Sequence, residues 1–249
     1  MKKVGLALGG GAVLGAAHVG VLKALEENDI KISFIAGTSI GAFVAAFYAF
    51  NKKSVDISEI ARKLKWMDVS ELSLSRYGLL SSEKLGELIK EYVGDKKIED
   101  AEIPLAMIAT DIASGKKVVI KKGPLAKAVM ASTCIPGIFN PVEFEKKLLV
   151  DGGIVENIPI NTVKEMGADY VIGVDLNAKN QYEKPGNILD VIINSFHFTL
   201  MAAAKYQTES ADLLITPDLS SFNMTDPDQV EDLIEQGYKD AKKALKQIK

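Results

Sequence analysis

The chain has 249 residues, 47% of them apolar and 25% charged, with a formal net charge of −3. That length is enough to bury a sizeable core as one domain, and a charge so near neutrality leaves no electrostatic footprint for a nucleic acid partner. The single cysteine, Cys134, excludes an internal disulfide framework and a cysteine-rich zinc site and fits a reducing compartment; no cofactor or metal ion is expected.

Met1-Lys2-Lys3 is followed by an apolar run, but three glycines after Leu8 interrupt it, so it does not read as the core of a signal peptide. No stretch reaches the roughly 20 apolar residues that a spanning helix needs. The expectation is a cytoplasmic protein that touches a membrane, if at all, from outside it.

Residues 4–8 read as a strand buried on both faces, and residues 12–28 as a helix with Leu14, His18, Val21 and Leu25 on one face. Residues 32–36 repeat the strand signal, and 40–50 follow as an alanine-rich helix. Two successive units of strand, glycine turn and helix argue for an α/β fold with a parallel sheet. The spacing then predicts an amphipathic helix over 57–74 and another, capped by Ser81 or Ser82, that runs to Tyr92. Residues 104–112 and 116–120 form a hairpin through Ala113-Ser114-Gly115. A short helix over 124–132 stops at Ile135-Pro136-Gly137, and 143–150 returns as a strand around a Lys146-Lys147 turn. A buried strand over 170–176, a polar loop over 177–187, a long helix over 188–207 and a short strand over 213–216 complete the reading. There is no internal repeat and no long linker.

Three stretches carry chemistry, each at the end of a strand. The first is the glycine run Gly9-Gly10-Gly11 between strand and helix, which lets backbone approach a ligand closely and presents unpaired N–H groups to negative charge. Dinucleotide binding is disfavoured because the second strand ends in Gly37-Thr38-Ser39, where that use of the motif requires an acidic residue. The second is Gly37-Thr38-Ser39-Ile40-Gly41, in which small residues flank a serine at a strand-to-helix turn, as in a nucleophile elbow; the plainer reading makes Thr38 or Ser39 a helix cap. The third is Asp151-Gly152-Gly153, a carboxylate at a strand's end before a tight turn.

If Ser39 is a nucleophile, something must take its proton. Both histidines, His18 and His197, sit in runs that read as buried helix faces, so the acceptor is a carboxylate. Asp111, Asp151 and Asp175 all end apolar strands, and spacing alone does not choose among them. Desolvation would raise the base's proton affinity, and amide N–H groups of the glycine run would hold the oxyanion.

At these residues the chain resembles the patatin-like phospholipases, in their bacterial branch. The likeness runs from Val4 to about Ile160 and rests on four landmarks in the family's order. They are Gly9-Gly10-Gly11 with Gly15 and Ala17-His18-Val19-Gly20, then Gly37-Thr38-Ser39-Ile40-Gly41, then residues 131–139 (ASTCIPGIF), then Asp151-Gly152-Gly153. The resemblance implies a single domain over 1–249 with a three-layer fold, a central mostly parallel sheet flanked by helices. It implies a serine acyl hydrolase that cleaves lipid acyl esters with a Ser39–Asp151 dyad and no histidine, and an oxyanion hole from the backbone of Gly10, Gly11 and Ala12. The implied partner is a lipid or acyl-ester substrate, with peripheral membrane contact. Three positions depart from the family's usual pattern: Leu14 in place of an arginine, Ala12 in place of a glycine, and Glu156 in place of an asparagine. The first removes a guanidinium that could meet a phosphate.

Two other functions compete. One is a binding protein for lipid or nucleotide that keeps the fold without turnover. The other is an esterase with His197 as base, against which stands the lack of an acid-then-histidine pattern in a polar loop near the end of the chain. Cys134 reads as a small buried hydrophobe, and residues 65–82 as a candidate cover over the site.

Overall fold

The computed structural model describes residues 2–63, 71–72, 78–179, 184–224 and 226–248. In chain order, β1 (Val4–Leu8) leads to α1 (Ala16–Glu27), β2 (Ile32–Thr38) to α2 (Ile40–Ala49), and α3 (Ser54–Lys63) follows. Next come β3 (Glu71–Leu72), β4 (Gly78–Ser81), α4 (Glu83–Val93), β5 (Leu105–Asp111), β6 (Lys116–Ile120) and α5 (Leu125–Ser132). The rest are β7 (Gly137–Phe139), β8 (Val142–Phe144), β9 (Lys147–Asp151), α6 (Ile160–Glu165), β10 (Tyr170–Val174), α7 (Ile188–Thr208), β11 (Leu213–Ile215) and α8 (Val230–Leu245).

The central sheet runs β11-β10-β1-β2-β5-β9-β8, with β6 on the other edge of β5. From β11 to β5 every neighbour is parallel; β6, β9 and β8 pair antiparallel. A small second sheet joins β3, β4 and β7.

Alternation along the strands makes the layers. Leu6, Leu8, Ile35 and Met107 face a large cluster that takes in α1, α2, α5 and α8, while Ala7, Ala36 and Ala106 face a smaller one with α6 and Ala204 of α7. The alanines let the second layer approach closely. Helix α2 is apolar almost all round and buried along nearly its whole length, as expected of a helix enclosed by other elements. Each of its two phenylalanines, Phe43 and Phe47, contributes on the order of 2 kcal/mol by burial.

The α/β architecture and the mostly parallel sheet agree with expectation. Three boundaries differ. Residues 12–15 form a 3-10 turn and the helix begins only at Ala16, because Ala12 at φ +49° interrupts helical backbone. The β8–β9 hairpin turns at Glu145 and Lys146, whose φ values of +48° and +64° suit a two-residue turn, so Lys147 already belongs to β9. Helix α3 starts at Ser54, earlier than expected; the second half of the helix foreseen over 57–74, and the candidate cover over 65–82 up to Gly78 apart from β3, lie outside the described residues. Helix α8 was not among the expected elements.

Candidate active site

The site is built on one edge of β5. Along it, Ile35 to Thr38 of β2 pair in parallel with Leu105 to Ile108. The next residues, Ala109 to Asp111, pair on the same edge with Asp151 to Leu149 of β9, now antiparallel, while β6 occupies the opposite edge. Two strands therefore approach each other end to end. Thr38 is opposite Ile108 and Asp151 is opposite Ala109.

Ser39 follows directly, and it turns the chain from β2 into α2 with φ +55° and ψ −128°. A non-glycine residue in that region costs about 1–3 kcal/mol, a strain that concentrates at functional sites. The turn is tight: a Cβ on Gly41 would lie 2.2 Å from Leu8 O, so only glycine allows α2 to start against the end of β1. The strained serine is fixed by its neighbours. Its N–H donates to Ser132 Oγ at 3.1 Å, and Ser132 Oγ donates to Ile108 O at 2.6 Å. Thr38 Oγ1 donates to Glu156 O at 2.9 Å. The plainer role of Ser39 as a side-chain helix cap is not realised.

Asp151 is fully buried. Its N–H donates to Cys134 O at 2.8 Å, its carbonyl accepts from Thr110 Oγ1 at 2.9 Å, and its Oδ1 accepts from Gly153 N–H at 2.8 Å. Oδ2 has no hydrogen-bond partner among the described residues. Burial pushes the carboxyl up to about 7, against the opposing influence of the Ser39 hydroxyl and the Gly153 N–H. The stretch 131–139 acquires a physical role here: through Ser132 and Cys134 it ties the backbones of residues 39 and 151 to one frame. Ser132 was not singled out from the sequence, since a serine beside a threonine and a cysteine carries no spacing signal.

The glycine run passes beside Ser39, and a Cβ on Gly10 would come within 3.1 Å of Ser39 Cβ. Gly9 N–H donates to Val174 O, and Gly9 O meets His18 Nε2 at 2.8 Å. Gly10 N–H donates to Asn157 Oδ1 at 3.0 Å, and Gly10 O accepts from Asn177 Nδ2 at 2.7 Å. Gly11 O accepts from Leu14 N–H. The N–H groups of Gly11 and Ala12 have no acceptor among the described residues. Of the three amides expected at an oxyanion hole, Gly10 is therefore already engaged, and Asn157 and Asn177 enter as residues the sequence reading did not name.

Ser39 and Ala12 open onto a pocket of about 90 Å³ whose walls are apolar. Val19, Phe43, Val44 and Ile57 from α1, α2 and α3 face Ile135 and Phe139 across it. Among the described residues no His, Cys, Asp and Glu group is arranged to hold a metal ion, and no helix is long and apolar enough to cross a membrane.

The competing residues lie elsewhere. Asp111 closes the β5–β6 turn, accepting from Ala113 N–H and Ser114 Oγ, and the Ser114 hydroxyl draws its carboxyl below the usual range. Asp175, raised by burial, accepts from Asn177 N–H in the loop after β10. His18 and His197 are both buried, and burial lowers each to about 4; neither ring nitrogen of His197 has a partner among the described residues. Cys134 is buried, its thiol donating to Asn140 O and pushed up to about 12 by burial and then by the Asp151 charge. Leu14, where the resembling proteins often carry arginine, is fully buried in the larger apolar cluster. Glu156 accepts from Thr162 Oγ1 and pairs with Lys117 Nζ at 3.0 Å.

Comparison with known proteins gives this geometry relatives. Residues 6–164 match the family profile described as patatin-like phospholipase. An uncharacterized NTE family protein of Mycobacterium tuberculosis is 38% identical over 178 residues, 70% of this chain and 49% of that protein. The lysophospholipase nte1 of Aspergillus fumigatus is 33% identical over 183 residues, 71% of this chain and 12% of that one. The chain thus spans about half the length of the mycobacterial relative and about an eighth of the fungal one. Among solved structures, VipD from Legionella pneumophila superposes with a TM-score of 0.68 at 13% identity, over 99% of this chain and 67% of its own, a likeness of fold. With the matched segment reaching from the glycine run past Asp151-Gly152-Gly153, the chain belongs to the patatin-like phospholipase family.

Proposed function

We propose that this protein is a serine hydrolase of lipid acyl esters that works by a Ser39–Asp151 dyad. The observation that carries the reading is the end-to-end meeting of β2 and β9, which brings a strained serine beside a buried carboxyl of raised pKa. In the first step Ser39 Oγ attacks the ester carbonyl carbon, and its proton passes to Oδ2 of Asp151, the oxygen with no other partner. The negative charge that forms on the carbonyl oxygen is taken by the N–H groups of Gly11 and Ala12. Such donors are worth ~3–4 kcal/mol each in the transition state. Collapse breaks the bond to the alcohol, which leaves with the proton returned by Asp151. Water then attacks the acyl-serine with Asp151 again as base; collapse breaks the bond to Ser39 Oγ, which takes back the proton from Asp151, and the fatty acid departs.

The apolar pocket suits the acyl chain. A relative named as a lysophospholipase makes single-chain phospholipids the first substrates to test. The experiment is labelling with a fluorophosphonate and turnover of short- and long-chain acyl esters, in the parent and in Ser39→Ala, Asp151→Asn and His197→Ala. Loss in the first two alone supports the dyad. Loss in His197→Ala would move the base to the histidine, and a parent that neither labels nor turns over would be a binding protein.

A further inference from the structure

We propose that Asn177 is a positioning residue that holds the Gly10–Gly11 peptide in the orientation needed for oxyanion binding, an inference that rests on the hydrolase reading above. A peptide unit is planar and trans, so its C=O and N–H point in opposite directions. Fixing one fixes the other. Gly10 O is the carbonyl of the peptide whose N–H belongs to Gly11, and it accepts from Asn177 Nδ2 at 2.7 Å in a fully buried contact. The Gly11 N–H is thereby directed away from residue 177.

The surroundings identify the two sides of the run. A Cβ on Gly11 would meet Leu176 Cδ1 at 2.9 Å, so the segment carrying Leu176 and Asn177 packs against one side. Ser39 and Ala12 both line the pocket, and Gly10 approaches Ser39. The N–H turned away from Asn177 is thus the one available to a ligand at Ser39. The preceding peptide is held in the same manner: His18 Nε2 contacts its carbonyl at Gly9, and Asn157 Oδ1 accepts its N–H at Gly10. Three glycines in a row have little preference of their own among backbone orientations. Without these buried side chains the run is free to rotate a peptide and turn a carbonyl toward the developing charge. Asn177 is itself anchored, its N–H donating to Asp175 Oδ1 at 2.9 Å, which gives the buried Asp175 a structural task.

The test uses Asn177→Ala, which deletes the donor, and Asn177→Asp, which keeps the shape and replaces the donor with an acceptor. Both are compared with the parent and with Ser39→Ala on an acyl ester, with binding of an alkyl boronic acid as a tetrahedral mimic. Expected for both variants is a kcat lower by about tenfold or more, with KM within about twofold and boronate affinity falling alongside kcat. For Asn177→Asp, the ratio of its activity to the parent's rises as pH falls from about 8 to about 5, because burial beside Asp175 raises the new carboxyl above the ordinary range and its protonated form again donates to Gly10 O. A merely structural role predicts neither the kcat-only loss nor the recovery in acid. Ser39-dependent turnover in the parent, together with unchanged kcat in the variants or a ratio flat with pH, overturns the inference and spares the hydrolase reading. A parent without Ser39-dependent turnover removes both. Should Asn177→Ala fail to fold, the isosteric variant carries the test.

Discussion

Thr38 and Asp151 occupy consecutive positions along one edge of β5, opposite Ile108 and Ala109, although 113 residues of sequence separate them. The arrangement needs β2 parallel and β9 antiparallel to β5, so that both strands end at the same point. A serine one residue beyond the first strand then meets a carboxyl at the end of the second. Changing the register of either strand by one residue would turn one of the two side chains to the other face of the sheet.

Because burial raises Asp151 to about 7, the base form accumulates only near neutrality. The pH profile of kcat/KM should rise through about 7, and not through the usual carboxylate range. Asp151→Asn should lower kcat by ~10²–10⁴. The same variant should be more stable than the parent at neutral pH. Between 3.8 and about 7 the folded protein holds a proton that the unfolded chain has released, so the parent loses stability as pH rises across that interval. Thermal melts at pH 4 and pH 8 check it: the advantage of Asp151→Asn should be on the order of a few kcal/mol at the higher value and vanish at the lower.

The strain at Ser39 is measurable by comparing two inactive variants. Ser39→Gly relieves φ +55° and Ser39→Ala does not. The glycine variant should therefore melt at the higher temperature, by an equivalent of ~1 kcal/mol, despite glycine's larger entropy in the unfolded chain. Equal melting temperatures would mean that the strain relieved is no larger than glycine's entropic cost in the unfolded chain, at most about 1 kcal/mol. Ala12→Gly, at φ +49°, should behave alike while keeping its N–H and its activity.

The frame of this site was legible in the sequence because strand–glycine–helix units impose their own pattern: the apolar runs at β1 and β2 and the glycines that end or follow them leave few alternatives. Spacing does not choose among Asp111, Asp151 and Asp175, because all three end apolar runs; the family resemblance points to Asp151, and the pairing of β9 with β5 is what sets Asp151 next in line after Thr38. What was missed is side chains that act on backbone. Ser132, Asn157 and Asn177 are ordinary polar residues in the sequence, and their roles appear only when a carbonyl or N–H from a distant segment is within reach. Helix α8 is a different case: Val230, Leu233, Ile234, Tyr238, Ala241 and Leu245 have clear helical spacing, and the element could have been read.

Ser132→Ala removes the bridge between Ser39 N–H and Ile108 O and leaves two buried backbone groups without their partner. Each such group costs ~1–3 kcal/mol, and denaturant unfolding should register a loss of that order. Turnover should fall as well, since the same hydroxyl fixes the turn that presents Ser39. Full activity with lowered stability would separate Ser132 from the geometry of the nucleophile.

His197 offers a test of stability against acid. Its ring is buried in α7 with neither nitrogen partnered among the described residues, and burial lowers it from 6.5 to about 4. Within that interval the unfolded chain binds a proton that the folded protein does not, so stability rises with pH from about 4 to about 6.5 and is lost again on acidification. His197→Leu fills a similar volume and has no polar atom to leave unpaired. It should raise the melting temperature and flatten the acid limb, by an amount on the order of 3 kcal/mol at pH 4 relative to pH 7. Under the proposed dyad activity should remain, since that mechanism gives the residue no part in the proton transfer. A variant that melts lower at every pH would mean that the imidazole has a partner which packing and charge do not reveal.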